Sequence, residues 1–356
     1  MEPSETDWTA TPASPVSANA RQAALIRQNN LTKPPGSLGQ LEVCAVQLAG
    51  LQDTDLPTTK PAYIGIFAAD HGVAAEGVSA FPAEVTGEMV RNFSRGGAAI
   101  SVMAEHLDAQ LEVISLGLVN DPGELDRVVR LDLGPGTANL LNEPAMTEFQ
   151  LASSLDAGRH VAEKVVQTQS QLFIGGEMGI GNTTSASALA CAFLALPPEQ
   201  LTGSGTGLDN AGVEHKLHVI EQALNRHSSV LQQGPPLAVL RHLGGFEIAG
   251  LVGAYIGCAQ MGKPVLVDGF IASVAALVAV RINPSINPWL FYSHCSAEPG
   301  HQHVLAALNS TPLLNLGMRL GEGSGAAVAV LVLEAACQLH NNMATFSEAG
   351  VSGGSD

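Results

Sequence analysis

The sequence predicts an α/β fold built on a parallel sheet covered by helices on both faces. Short apolar runs alternate with helical segments, glycine-rich strings follow those runs, and small residues are favoured over aromatics. Aromatics make up 4% of 356 residues, against 38 glycines. Such a composition suits closely packed layers joined by tight strand-to-helix turns, and does not suit a disordered or fibrous chain. The length allows one large domain or two.

Residues 1–18, rich in Pro, Ser, Thr and Ala, are expected to form a disordered extension. Helices are read over 20–28 and 41–51, on either side of the loop 33–39, from apolar positions three and four apart. The run 62–69 reads as a buried strand ending at Asp70-His71-Gly72, and further strands are read over 111–116, 172–175 and 264–268. Helices are read over 81–93, 97–106, 147–168, 184–194, 212–225 and 325–343. A Gly- and Ser-containing tail closes the chain.

The formal net charge is −17, which argues against nucleic acid or an anionic membrane as partner. The 16 lysines and arginines form no run, so a bound anion must be held mainly by backbone N–H groups and helix ends. Five widely spaced cysteines without a C-x-x-C pair point to reduced thiols, and to neither a disulfide framework nor a zinc site. The N-terminus lacks the basic and apolar regions of a signal peptide. The most apolar stretches, 264–280 and 326–339, are too short to span a bilayer. A soluble, cytoplasmic protein is expected.

Three strings could carry chemistry. Gly175-Gly176-Glu177-Met178-Gly179-Ile180-Gly181-Asn182-Thr183-Thr184 lies between a strand and a helix, where glycines and a helix N-terminus can receive an anion. It is neither a Walker A loop nor a full G-x-G-x-x-G, and the alternative reading is a tight turn with Thr183 or Thr184 capping a helix. Gly203-Ser204-Gly205-Thr206-Gly207 offers the same chemistry and leads toward Lys216, whose plain reading is a solvated helix residue. In Leu320-Gly321-Glu322-Gly323-Ser324-Gly325 the acid is either a first-turn complement to the helix dipole or a desolvated general base. Local physics leaves both open. His71, His294, His301 and His303 lie near Asp70 and Glu298 in sequence but lack a His-Glu-x-x-His ligand pair. Hydrogen-bonded loop histidines are the better account.

Taken together and in order, these strings resemble the nicotinate-nucleotide–dimethylbenzimidazole phosphoribosyltransferase family of cobamide synthesis. Further matching pieces are Lys33-Pro34-Pro35-Gly36-Ser37-Leu38-Gly39, Asp70-His71-Gly72-Val73, Glu76-Gly77-Val78-Ser79-Ala80-Phe81-Pro82, Gly244-Gly245-Phe246-Glu247-Ile248-Ala249 and the stretch from Ser293-His294 to Gly300-His301. The resemblance implies a Rossmann-like catalytic domain over 61–325. It also implies a smaller helical domain from 19–60 plus about 326–345, and a homodimer; a loose tail over 346–356 is expected from its composition. Nicotinate mononucleotide and an aromatic base, 5,6-dimethylbenzimidazole or a relative, are the implied substrates, with α-ribazole 5′-phosphate and nicotinate as products.

No metal or redox cofactor is implied. Glu322 matches the family's general base. Substrate contacts are implied at Glu177, Met178, Gly179, Ile180, Gly181, Asn182, Gly205, Lys216, Ser293 and Leu320, with Phe81 and Met89 lining the base pocket. Two places depart from the family pattern: Ser115, where Asp is common, and the stretch from Leu131 to Thr137. Phenolic or purine acceptors, a non-catalytic nucleotide sensor and a dinucleotide-dependent oxidoreductase are the rival readings. The incomplete G-x-G-x-x-G disfavours the last.

Overall fold

A computed structural model describes residues 7–352. Among them, six strands form one sheet: β1 (Ala62–Ala69), β2 (Gln110–Gly117), β3 (Val128–Arg130), β4 (Leu172–Met178), β5 (Val265–Val267) and β6 (Leu290–Tyr292). Every pairing is parallel and the order is β3-β2-β1-β4-β5-β6. The chain builds outward from β1 to β3, returns to the centre at β4, and then builds the other half. This is the doubly wound arrangement expected from the sequence, and its strand order reverses between β1 and β4. A crevice opens at such a point beyond the carboxyl ends of the strands.

Neighbouring glycines in β4 face opposite sides of the sheet and allow close approach on each. A Cβ on Gly175 would lie 2.6 Å from the Leu251 side chain, in the helix Phe246–Gln260. One on Gly176 would lie 2.6 Å from the backbone of Glu322 on the other face. The sequence suggests an anion loop for these two glycines, yet they belong to the strand and serve packing. The helix Phe246–Gln260 crosses Glu148–Gln167 equally closely, since a Cβ on Gly158 would meet the backbone of Gly250, Gly253 and Ala254.

Helices from both chain ends meet. Gln40–Gln52 packs with both Ala18–Asn30 and Ser324–Asn342, and the Arg27 guanidinium donates to the carbonyls of His340, Asn341 and Met343. One apolar core runs from Leu48, Leu51 and Leu333 through the sheet. No helix among the described residues is long and apolar enough to cross a membrane. The five cysteines are unpaired, and four are buried.

The expected disorder at the N-terminus is corrected for residues 7–18; residues 1–6 lie outside the described ones. Asp7–Ala10 forms a 3-10 turn. The Trp8 indole donates to Asp156 at 3.0 Å, and the Arg159 guanidinium sits 5.1 Å from its ring centre. Side-chain amides of Asn283 and Gln260, and the Trp289 indole, donate to carbonyls between Trp8 and Ser14. Composition conceals this anchoring because the partners are more than 140 residues away. The loose tail also begins later than expected. Phe346–Ala349 forms a turn closed by a Thr345–Glu348 capping box, and residues 353–356 lie outside the described ones.

Gly158→Ala should destabilise the protein by about 1–3 kcal/mol, the usual cost of overpacking a filled contact. Denaturant titration checks this; an unchanged midpoint would contradict the close helix crossing.

Candidate active site

A cavity of about 460 Å³ opens beyond the carboxyl ends of β4, β5 and β6, a volume suited to a small organic ligand. Phe81, Val85 and Met89 form one apolar wall; the latter two come from the helix Glu84–Arg95. Glu177 to Ile180 and Asn182 line it from the end of β4. The segments after β5 and β6 supply Phe270, Ile271, His294, Ser296 and Glu298, while Arg319, Leu320, Gly321 and Glu322 close the remaining side. At the mouth, Phe81 and Leu320 are 53% and 58% exposed. The Thr206 hydroxyl accepts from the Ala80 amide at 2.9 Å and shares a hydrogen bond with Ser79, tying the loop before Phe81 to the Gly205 loop.

Glu322 is only 6% exposed and stands in the left-handed region at φ 62°, between Gly321 at 83° and Gly323 at 79°. Glycine takes such angles freely, whereas a residue with a side chain does so at a cost of about 1–2 kcal/mol. Burial first, and the nearby negative charge of Asp268 second, push its carboxyl up to about 7. Glu177 is pushed further, to about 8, by burial and then by the charges of Glu247, Asp268 and Glu322. The Asn182 amide donates to it. Two carboxyl groups raised toward neutrality by burial in one cavity make it a candidate site for proton transfer.

Several sequence-predicted residues lie behind the cavity wall. Lys216 is fully buried, and its ammonium donates to the Thr183 hydroxyl at 2.8 Å beneath the Gly205 loop. It braces that loop from behind and is not the solvated helix residue that position alone suggests. Burial draws it down to about 8, opposed by Glu298. Gly181, at φ 95°, begins the helix Asn182–Leu194 and packs against His71 and Ala74. Ser293 is fully buried, and its hydroxyl has no partner among the described residues.

Of His71, His294, His301 and His303, three have close polar neighbours, whereas His303 is exposed on the helix His301–Ala307. His71 Nε2 lies 2.6 Å from Glu247, His294 Nε2 lies 3.7 Å from Asp268, and His301 Nε2 lies 2.9 Å from the Ser273 hydroxyl. Among the described residues no three His, Cys, Asp or Glu side chains gather as a metal site.

Sequence reasoning did not assign Val85, Thr183, Phe270, Ile271, His294, Ser296, Glu298 or Arg319 to the cavity. Their common signal is position, in segments that follow the carboxyl ends of strands or lead into Glu322. For His294, Ser296 and Glu298 that signal depends on β6, which is not read as a strand from the sequence.

A doubly wound sheet with a cavity at its strand ends, glycine-rich turns beside it and two buried carboxyl groups inside it is an α/β arrangement suited to binding a small organic ligand. A family model described as "Phosphoribosyltransferase" matches residues 13–351. The chain is 60% identical over 344 residues to the nicotinate-nucleotide–dimethylbenzimidazole phosphoribosyltransferase of Pseudomonas fluorescens SBW25, covering 97% of each chain. It is 58% identical over 346 residues to that of Xanthomonas oryzae pv. oryzae PXO99A, covering 97% of this chain and 99% of the relative. The crystal structure of the Thermus thermophilus enzyme of that name superimposes with a TM-score of 0.89 at 42% identity, over 95% of this chain and 100% of that one. The chain belongs to the nicotinate-nucleotide–dimethylbenzimidazole phosphoribosyltransferase family.

Glu177 binds a proton more tightly in the folded state than its usual value of 4.5. Folding therefore retains a proton that the unfolded chain releases, and stability falls as pH rises from about 4.5 to about 8. Glu177→Gln should flatten that fall. Melting temperatures across the window check it; an unaltered slope would show that Glu177 titrates normally.

Proposed function

We propose that this chain transfers ribose 5-phosphate from nicotinate mononucleotide to 5,6-dimethylbenzimidazole, giving α-ribazole 5′-phosphate and nicotinate. One acceptor ring nitrogen forms a bond to the ribose C1 as the bond from C1 to the nicotinate nitrogen breaks, inverting β to α. The attacking ring acquires positive charge and its other nitrogen's proton becomes acidic; Glu322 takes that proton. Nicotinate leaves with the electron pair of the broken bond, so no cofactor is needed for balance.

The observation that carries this reading is the buried Glu322 carboxyl in a cavity whose facing wall, Phe81, Val85 and Met89, is apolar. An aromatic base fits such a wall, and a dry carboxyl titrating at about 7 is matched to a general base at neutral pH. The Glu177–Asn182 turn and the Gly205 loop hold the ribose phosphate through backbone N–H groups, with Lys216 stabilising them from beneath. Alignment of the two rings supplies much of the remaining rate. The helices of 19–60 and 326–345 form a smaller unit beside the 61–325 catalytic body, and the enzyme acts as a cytoplasmic homodimer.

Purified protein incubated with nicotinate mononucleotide and dimethylbenzimidazole should release nicotinate, measured by chromatography. No release with any benzimidazole, purine or phenol would contradict the proposal. Glu322→Gln should fold normally and lose about 10²–10⁴-fold in turnover, the usual worth of a general base; near-normal turnover removes Glu322 from that role. In the wild-type enzyme, kcat/KM should rise with pH through about 7 as Glu322 loses its proton.

A further inference from the structure

We propose that Asp268 is a positioning residue that clamps the left-handed turn carrying Glu322 and so fixes where the base points. The inference rests on Glu322 being that base. Asp268 follows β5 and is buried. Its Oδ2 accepts from the Gly323 amide at 3.1 Å, and its Oδ1 accepts from the Ala326 amide at 2.8 Å.

Both donors would otherwise be orphans. The helix Ser324–Asn342 begins at Gly323 with no side-chain cap of its own, and first-turn N–H groups have no partner inside a helix. Asp268 therefore caps this helix from a different strand, and one of its two bonds grips the residue directly after Glu322. A charged acceptor at buried amides is among the stronger hydrogen bonds. The turn also has local support, because the Ser324 amide and hydroxyl both donate to the Gly321 carbonyl, at 3.0 and 2.7 Å. These bonds close the turn on itself, whereas Asp268 ties it to the sheet.

His294 completes the clamp. Its Nε2 lies 3.7 Å from Asp268 Oδ1, and its ring fills the space that a side chain at position 325 would occupy. Gly325 is thus required for the imidazole to reach the carboxylate. Glu177 from β4, Tyr255 from the Phe246–Gln260 helix and Glu322 are the other titratable groups within electrostatic reach of Asp268.

Asp268→Asn keeps the shape, removes the charge and leaves one oxygen for two amides. Turnover should fall by about 10²-fold, the scale of a misplacement of about 1 Å, with little change in KM for nicotinate mononucleotide. The acidic limb of kcat/KM should move to lower pH, since Glu322 loses a negative neighbour that favours its protonated form. A purely structural role would lower thermal stability and leave the limb in place. On a Glu322→Gln background, Asp268→Asn should cost almost nothing further; an equal loss there, an unmoved limb or full turnover in the single variant would overturn the proposal.

Should Asp268→Asn not fold, amide exchange in the wild-type protein decides. Slow exchange at Gly323 and Ala326 supports the clamp, and exchange at the free rate overturns it. Normal turnover in Glu322→Gln alone would instead remove the base, with the exchange rates still reporting on the clamp.

Discussion

Three successive residues with positive φ, Gly321, Glu322 and Gly323, form the constraint on which the site depends. Glycine on both sides confines the strain to Glu322, and the turn lies so close to β4 that only a glycine fits at position 176. That closeness keeps the Glu322 carboxyl out of water and brings Gly321 against the Glu177 carboxyl. Desolvation then gives each acid a proton affinity far from its ordinary value. The turn therefore sets both the direction and the basicity of the carboxyl proposed as the general base.

The sheet explains why this turn can be assembled at all. Reversal of strand order between β1 and β4 opens a crevice, and loops from both halves converge on it. β4 contributes Glu177, the segment after β5 contributes Asp268, and the segment after β6 contributes His294 and Glu298. In a chain of net charge −17, a phosphate-handling site has few cations available. Lys216 is bonded to a threonine hydroxyl, and Arg319 donates to the Gly205 carbonyl at 3.0 Å. Each cation holds a loop by hydrogen bonding within the protein, so in the proposed reaction it is the loop's backbone that meets the anion.

Most of the sheet was legible because β1, β2 and β4 are long apolar runs ending in polar or glycine-rich turns. The strands β3 and β6 were not: each is three residues, as β5 is, but neither lies in a long apolar stretch such as the 264–280 run that marks β5. The helix Phe246–Gln260 escaped for the opposite reason: its residues from Phe246 to Ala259 are all buried, so it has no polar face to create a period. Glu322 was visible as an acid among glycines, but capping and catalysis share that pattern, and only family resemblance separated them. Asp268 and Glu298 needed three-dimensional contact to acquire meaning, and so did the anchoring of residues 7–18. Each of these pairs residues distant in the chain, and no local pattern records such a pairing.

The turn is proposed to make Glu322 a base titrating near neutral pH. Carboxyl-labelled glutamate NMR measures this directly, with the Glu322 resonance assigned by its loss in Glu322→Gln. A midpoint near about 7 is predicted for the ligand-free protein. A midpoint at the ordinary value of 4.5 would show that the turn leaves the carboxyl solvated, and would remove Glu322 as a base tuned to neutral pH.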